Sequence, residues 1–279
     1  MPGRVLAVAE SDSCGAAGVQ ADIKTILALG GYAATALTAV AAQSTAGVEH
    51  LHALEPGFVA QQMRAVLEDI GADVIKTGFL VNKDIVNAVA DVLWEDRYRN
   101  IPVVVDPAII AREGGQLMDE QAIAALKRRL FVRTTVLTPN LREAELLTGL
   151  RIRDPADMHH AADMMRTLGA ERIVLKAGPG ADGKAVYLLA TMEERRVYER
   201  PVLDTPNTLG AGATLASAIA VGLTQKTDFF QTVERALDFM HQAMLHAPDL
   251  GRKAGPVGHV FDVGGPSVSN VRRRQDRRT

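Results

Sequence analysis

The chain of 279 residues is 47% hydrophobic and 23% charged, with a formal net charge of -2 at pH 7. No apolar run approaches the roughly 20 residues of a membrane-spanning helix, and the only cysteine, Cys14, excludes an internal disulfide. These properties argue against an integral membrane protein and a disulfide-rich secreted domain. We therefore expect a cytoplasmic globular protein with a full-sized core and no membrane partner.

Short apolar segments with strand character alternate with segments of helical periodicity along the chain. The predicted strands span residues 5–9, 36–40, 74–76, 101–106, 135–138 and 173–175. The predicted helices span residues 19–27, 59–70, 85–93 and 123–130. Because several strands are apolar on both sides, the alternation predicts a mostly parallel sheet that is covered by helices on both faces.

Polar residues follow these strands directly, at the sheet edge where ligands bind in such folds. They occupy residues 10–12, 43–45, 76–78, 106–107, 138–140 and 176–178. We expect a ligand crevice at this edge.

The C-terminal residues are strongly basic, since residues 271–279 hold five arginines against the single acidic residue Asp276. We expect one domain over residues 1–265 and a solvated, disordered tail over residues 266–279. Binding of nucleic acid or an anionic surface by the tail is the alternative. Because nothing else in the chain is basic or aromatic-rich, we expect no nucleic-acid partner.

Residues 207–214 contain two glycines and two alanines directly before an apolar segment that predicts a helix. Such a loop leaves backbone N–H groups unpaired at the positive end of a helix, where an anion binds. A transferring phosphoryl group needs such a cradle, because its chemistry is mostly positioning and charge stabilisation. The alternative is a small-residue turn that only lets the helix pack closely.

Motifs in collinear order resemble those of the hydroxymethylpyrimidine and phosphomethylpyrimidine kinases of thiamine biosynthesis, in the ribokinase-like superfamily. They lie at residues 9–24, 41–48, 75–80, 105–107, 138–145, 207–214 and 255–257. The resemblance implies a single-domain, ribokinase-like three-layer α/β/α sandwich with a mostly parallel central sheet. It also implies an ATP- and Mg²⁺-dependent kinase that phosphorylates 4-amino-5-hydroxymethyl-2-methylpyrimidine and/or its monophosphate, and a homodimer.

The phosphate side of the site rests on Lys176 and on the loop. By resemblance, Lys176 contacts the transferring phosphate, and a solvent-facing lysine is the alternative. The loop residues implied in catalysis are Gly210, Ala211, Gly212 and Ala213. The resemblance assigns nucleotide binding to Asn140, Lys176, Thr208, Gly212 and Val257.

Two carboxylates are implied at the Mg²⁺–phosphate site. Glu143 falls three residues after Asn140 in the first turn of a predicted helix, so a capping role is the alternative. Magnesium usually keeps several waters, which favours contact through water. Asp106 precedes Pro107 and is alternatively a turn-forming residue.

The pyrimidine side is implied to include Glu10, Ala17, Asp22, Gln43, Phe79 and Ala108. A neutral amide such as Gln43 reads a ring nitrogen and an amino group, whereas holding a loop is its alternative role. Asp22 matches a residue near the substrate hydroxymethyl group, and pairing with Lys24 or an arginine is its alternative.

The chain departs from the family pattern at the site itself. Glu10 stands where the family usually has glycine, and Phe79 where it usually has methionine. The usual loop His-Gly-Thr-Gly-Cys is replaced by residues 209–213, which removes the thiol at Ala213. Side-chain proton acceptance is typically worth about 10²- to 10⁴-fold in rate, so activity is expected to be reduced. A non-catalytic pyrimidine- or nucleotide-binding paralogue and a kinase for a related vitamin such as pyridoxal are the alternatives.

Overall fold

The computed structural model describes residues 1–111, 114–180 and 182–261. Its strands are β1 Arg4–Asp12, β2 Tyr32–Ser44, β3 Gly47–Ala53, β4 Val74–Thr77, β5 Val103–Val105, β6 Val136–Leu137, β7 Arg172–Pro179, β8 Lys184–Ala190 and β9 Arg195–Pro201. Its α-helices are α1 Gly18–Ala28, α2 Pro56–Asp69, α3 Lys83–Leu93, α4 Glu120–Ala125, α5 Leu141–Thr148, α6 Pro155–Thr167, α7 Ala211–Thr224 and α8 Phe229–Leu245. The predicted basic tail, residues 266–279, lies outside the described residues.

The nine strands form one sheet in the order β3-β2-β1-β4-β5-β6-β7-β8-β9. Six neighbouring strands pair in parallel, namely β2, β1, β4, β5, β6 and β7. Strand β3 pairs antiparallel with β2 at one side of the sheet, and β8 and β9 continue it in antiparallel fashion at the other. This arrangement confirms the predicted mostly parallel sheet with flanking helices. Among the described residues, no helix combines the length and the apolar character needed to cross a bilayer.

Alternate residues of the central strands enter two separate apolar clusters, one on each face of the sheet. In β5, Val103 and Val105 belong to one cluster and Val104 to the other, and all three are fully buried. Side chains alternate across a strand, so a run of valines fills both helix layers. Burying a valine contributes roughly 1.5–3 kcal/mol, which explains why such short strands hold the middle of the sheet.

Several strands extend further than the sequence pattern predicts. Pairing between β1 and β2 continues past a bulge between Ala9 and Ser11, so Glu10 lies inside β1. Gln43 lies inside β2, and Lys176 lies inside β7. The polar residues of the crevice thus belong to the ends of the strands themselves, because ladder pairing persists beyond the apolar run.

The predicted helix over residues 123–130 has a different form. Helix α4 begins at Glu120, after the N-cap Asp119, whose side chain accepts a hydrogen bond from the Ala122 amide. A π-helical turn then spans Leu126–Leu130, and a 3-10 turn spans Phe131–Arg133. Leu126, Leu130 and Phe131 stay buried, whereas Val132 is exposed, so the apolar spacing is largely kept without a regular α-helix.

Candidate active site

A cavity of about 330 Å³ opens at the carboxyl ends of the parallel strands. It is lined by residues from β1, β2, β4 and β7, by the segments after β4 and β5, and by the loop before α7. Its lining includes these predicted site residues: Glu10, Ala17, Gln43, Phe79, Asp106, Ala108, Asn140, Glu143, Lys176, Thr208, Gly210, Ala211, Gly212 and Ala213. Segments far apart in sequence therefore meet at one edge of the sheet.

The loop before α7 presents free backbone donors to this cavity. Gly210 is the N-cap of α7, with φ of 88° and no side-chain capping hydrogen bond. A Cβ atom at Gly210 would lie 1.8 Å from the carbonyl oxygen of Ala16, so only glycine fits here. The N–H groups of Gly212 and Ala213 donate to no other residue in the described part of the chain. They form a site for an anion at the positive end of the helix.

A lysine and an aspartate lie next to these amides. The Nζ atom of Lys176 is 3.1 Å from Oδ1 of Asp106, which also accepts a 3.1 Å hydrogen bond from the Thr138 hydroxyl. A Cβ atom at Gly212 would lie 3.5 Å from Lys176 Nζ and 3.8 Å from Asp106 Oδ2. The bare glycine therefore leaves room for a ligand between the amides and the ammonium group.

Asn140 and Glu143 form a capping box at the start of α5. The Oδ1 atom of Asn140 accepts a 2.9 Å hydrogen bond from the Glu143 amide, and Oε2 of Glu143 accepts one of 2.9 Å from the Asn140 amide. The other carboxylate oxygen, Oε1, accepts a 3.0 Å hydrogen bond from the Ile109 amide. Burial raises the pKa of Glu143, Asp106 acts in the same direction, and Lys176 opposes the shift.

The capping alternative for Glu143 is thus present in the geometry, and both carboxylate oxygens already accept hydrogen bonds. Among the described residues, no group of three His, Cys, Asp or Glu side chains is arranged to hold a metal ion. The described residues therefore offer no cage of protein ligands that would coordinate a metal ion directly. The two carboxylates Asp106 and Glu143 still add negative charge to the cavity lining.

The structure places Asp22 next to the cavity lining but not in it. This residue is fully buried, and its carboxylate lies 2.8 and 3.0 Å from Lys76 Nζ. The hydroxyl of Ser217 donates a 2.7 Å hydrogen bond to the same carboxylate. Burial raises the pKa of Asp22, and Lys76 and Ser217 offset part of this shift. An ion pair between α1 and β4 therefore holds the side chain that the resemblance assigned to the substrate.

Val257 also lies outside the cavity lining. Its side chain is buried, and its backbone N–H donates a 3.1 Å hydrogen bond to the carbonyl oxygen of Leu209. Leu209 in turn donates to the carbonyl oxygen of Gly255 at 3.1 Å. Val257 therefore supports the glycine-rich loop through its backbone, and its contact with a nucleotide stays a prediction.

Lys76 is a lining residue that the sequence reasoning did not assign. It follows two apolar residues at the end of β4, the same signal that singled out Lys176 on β7. Burial alone would lower the pKa of Lys76, but Asp22 and Asp106 together hold it above its ordinary value. Apolar residues missing from the sequence prediction complete the wall: Val48, Leu51, Ile110 and Leu117. Their sequence context does not distinguish them from core residues.

The predicted pyrimidine-side residues add an apolar wall and two polar side chains to the cavity lining. Phe79 is buried, and its carbonyl oxygen accepts a 2.8 Å hydrogen bond from the hydroxyl of Thr38. Ala108 has φ of 47°, a left-handed conformation that is uncommon for alanine. Glu10 and Gln43 are half-buried and line the cavity. Burial among protein atoms is the largest cause that raises the pKa of Glu10 to about 8.

Comparison with known proteins identifies relatives over most of the chain. The family model described as phosphomethylpyrimidine kinase matches residues 12–258. The chain is 43% identical to the thiamine biosynthesis bifunctional protein ThiED of Geobacter sulfurreducens, over 93% of this chain and 52% of that protein. It is 36% identical to the hydroxymethylpyrimidine/phosphomethylpyrimidine kinase of Synechococcus elongatus, over 92% of this chain and 97% of the relative. This chain thus spans about half of the bifunctional protein and nearly all of the single kinase.

Solved structures of two kinases share the fold. Phosphomethylpyrimidine kinase from Clostridium difficile superposes with a TM-score of 0.77 at 32% identity, covering 86% of this chain and 99% of that one. An ADP complex of Bacillus subtilis pyridoxal kinase superposes with a TM-score of 0.84 at 31% identity, covering 93% and 98%. With the motifs, the sheet order and the family match in agreement, the chain belongs to the phosphomethylpyrimidine kinase family.

Proposed function

We propose that the protein transfers the γ-phosphoryl group of ATP to the hydroxymethyl oxygen of 4-amino-5-hydroxymethyl-2-methylpyrimidine and/or to its monophosphate. The observation that carries this proposal is the pair of free amides at Gly212 and Ala213, which lie beside Lys176 at the start of α7. Pyridoxal kinase of Staphylococcus aureus, a structural neighbour at 28% identity, was solved with ADP, which supports nucleotide use at a site of this fold.

Phosphoryl transfer requires positioning and charge stabilisation more than covalent chemistry from the protein. The amides of Gly212 and Ala213 would donate to the oxygens on which negative charge develops, and they need no rearrangement because the loop is already formed. Lys176 supplies a positive charge that reaches the same oxygens. Removal of one such donor typically costs about 10²- to 10³-fold in rate.

The carboxylates fit a magnesium ion that is held mainly by phosphate oxygens and water. Mg²⁺ prefers oxygen ligands and retains several waters. Asp106 and Glu143 would hold it through such waters, because both carboxylates already have partners in the protein. The ion, when bound, neutralises charge on the phosphates.

The tests compare ADP release by purified protein with Mg-ATP in the presence and absence of the pyrimidine. We expect release that depends on the pyrimidine and falls about 10²-fold or more in Lys176→Met. The matched control is Lys184→Met, because Lys184 is half exposed and pairs with Glu199 on the surface. Thermal stabilisation by ligand without product would point to the non-catalytic binding alternative. An absence of both stabilisation and turnover would reject the proposal.

A kinase for pyridoxal is the second candidate. The observation that favours it is the TM-score of 0.85 to the pyridoxal kinase of Staphylococcus aureus, which exceeds the 0.77 for phosphomethylpyrimidine kinase from Clostridium difficile. Competition between pyridoxal and the pyrimidine for turnover decides between the two substrates.

We also propose a cytoplasmic homodimer with a small-molecule substrate and no membrane partner. The support is the resemblance of the chain to ribokinase-like kinases, which often pair. Light scattering of the purified protein at micromolar concentration tests the stoichiometry, and a mass of one chain would reject the dimer.

A further inference from the structure

The side chain of Glu10 differs from the neighbouring carboxylates Asp12 and Asp22, because no other described residue donates a hydrogen bond to it. Asp12 accepts hydrogen bonds of 2.8, 2.9 and 2.7 Å from the amides of Cys14, Ala16 and Ala17. Asp22 and Lys76 bind each other at 2.8 Å. Among the described residues, none donates a hydrogen bond to the Glu10 carboxyl group except its own backbone amide.

The position of Glu10 is fixed by its surroundings. It lies in β1 next to the bulge, and its carbonyl oxygen and Oε1 would be 2.3 and 3.0 Å from a Cβ atom at Gly18. Gly18 begins α1 with φ of 53°, so the absence of a side chain there lets Glu10 pack against the helix start. The carboxyl group is thereby held in the cavity lining, to which Phe79 and Gln43 also belong.

The charges around Glu10 decide its protonation. Burial raises its pKa to about 8, Asp22 and Asp12 act in the same direction, and Lys76 opposes them. The opposition is limited because Lys76 is already neutralised by Asp22, and Asp106 adds further negative charge near that pair. At neutral pH most Glu10 side chains are therefore uncharged, with one O–H donor and one C=O acceptor.

A neutral carboxyl group is complementary to an aminopyrimidine edge. Its O–H donates to the ring nitrogen, and its C=O accepts from the adjacent amino group, so both hydrogen bonds form in one plane. Pyridoxal has no amino group beside its ring nitrogen and cannot make this pair. A buried polar group that loses its ligand partner carries a penalty, which turns such a contact into specificity.

We propose that Glu10 recognises the amino and ring-nitrogen edge of the pyrimidine and makes this chain select an aminopyrimidine over a pyridoxal-type substrate. This inference rests on the proposed function, because it names which part of that substrate the cavity reads. The proposal thereby moves to Glu10 the contact that the family resemblance assigns to Gln43, and it leaves the second ring nitrogen to Gln43, which also lines the cavity.

The first test needs no variant. Calorimetry measures binding of 4-amino-5-hydroxymethyl-2-methylpyrimidine and of its analogue without the 4-amino group to the parent protein at pH 7. We expect the analogue to bind about 10- to 100-fold more weakly. Above pH 8, where Glu10 ionises, binding of the aminopyrimidine should weaken by up to about tenfold per pH unit, while binding of the analogue should change less. Equal affinities for the two ligands would overturn the inference.

Two variants separate hydrogen bonding from shape. Glu10→Gln keeps a donor and an acceptor at every pH, so we expect near-parent affinity without the loss above pH 8. Glu10→Met keeps the length but removes both groups, so aminopyrimidine binding should fall about 10- to 100-fold while pyridoxal binding does not. Thermal unfolding of each variant monitors the fold. Unchanged aminopyrimidine affinity in Glu10→Met, with binding and turnover intact in the parent, would overturn this inference alone. A parent that binds neither pyrimidine would overturn the proposed function with it.

Discussion

The ammonium group of Lys76 lies 2.8 Å from the carboxylate of Asp22, and both side chains are almost fully buried, with Lys76 in the cavity lining and Asp22 outside it. Helix α1 contributes Asp22 and strand β4 contributes Lys76, so the pair joins a helix to the central sheet. Ser217 of α7 binds the same carboxylate, which ties the helix that carries the anion-binding loop to this centre. The pair and Ser217 therefore hold α1, β4 and α7 together next to the cavity.

Breaking this pair on one side should be strongly destabilising. In Asp22→Asn the charge of Lys76 stays buried without its counter-ion, so we expect the free energy of unfolding to fall by about 3–5 kcal/mol. Urea denaturation measures it. The control is Asp73→Asn, which breaks an exposed ion pair with Arg4 and should cost about 0–1 kcal/mol. Equal losses in the two variants would contradict the buried role of Asp22.

A methyl group at Gly212 should strongly reduce activity without unfolding the protein. The new Cβ atom would lie 3.5 Å from Lys176 Nζ, an ordinary contact distance, yet it would fill the space between the amides and the ammonium group. We expect Gly212→Ala to lose about 10²-fold or more in kcat/KM for ATP with an unchanged melting temperature.

The matched control for that variant is Gly57→Ala in the first turn of α2, where a Cβ atom meets nothing within 4 Å. It should keep full activity and gain stability slightly, since alanine is the better helix former. Full turnover in Gly212→Ala would show that the loop does not bind the transferred phosphate.

Much of the fold followed from the sequence because its signals are local. The valine run of β5, buried on both faces, predicts a parallel sheet between helix layers, and the sheet order confirms that fold class. The glycine-rich loop before α7 was also evident, because small residues before an apolar helix form a recognisable pattern. The family assignment is confirmed by the match over residues 12–258.

The partners of individual site residues did not follow, because they come from distant parts of the chain. Asp22 was assigned to the substrate, but its partner Lys76 lies 54 positions away in sequence and meets it only when β4 enters the sheet. Glu143 illustrates the opposite case, since the capping partner Asn140 is three residues away and was visible as an alternative. Its role toward magnesium stays a prediction.

Restoring a proton acceptor at Ala213 should speed up the reaction. Ala213 lines the cavity in the first turn of α7, where the helix dipole favours a thiolate. We expect Ala213→Cys to raise kcat by about tenfold or more, within the range typical of general-base assistance. Ala213→Ser is the control, because its hydroxyl is similar in size but is not a base at neutral pH. The same kcat in both variants would show that the chemical step does not need an acceptor at this position.

The pH dependence of stability should contain a contribution from His259. Its Nε2 atom lies 2.9 Å from the hydroxyl of Thr214, behind the loop, and burial lowers its pKa to about 4. Because the unfolded chain binds the proton more tightly, this group stabilises the fold fully above its ordinary pKa of about 6.5, and the contribution declines as the pH falls toward 4. Between pH 7 and pH 4 this contribution to the free energy of unfolding falls by about 3 kcal/mol.

Urea denaturation between pH 4 and 7 tests this contribution. The free energy of unfolding should decrease less for His259→Gln, which keeps a hydrogen-bonding group, than for the parent. His50→Gln, at an exposed position, should follow the parent, and a parent-like decrease in His259→Gln would exclude His259 as the source.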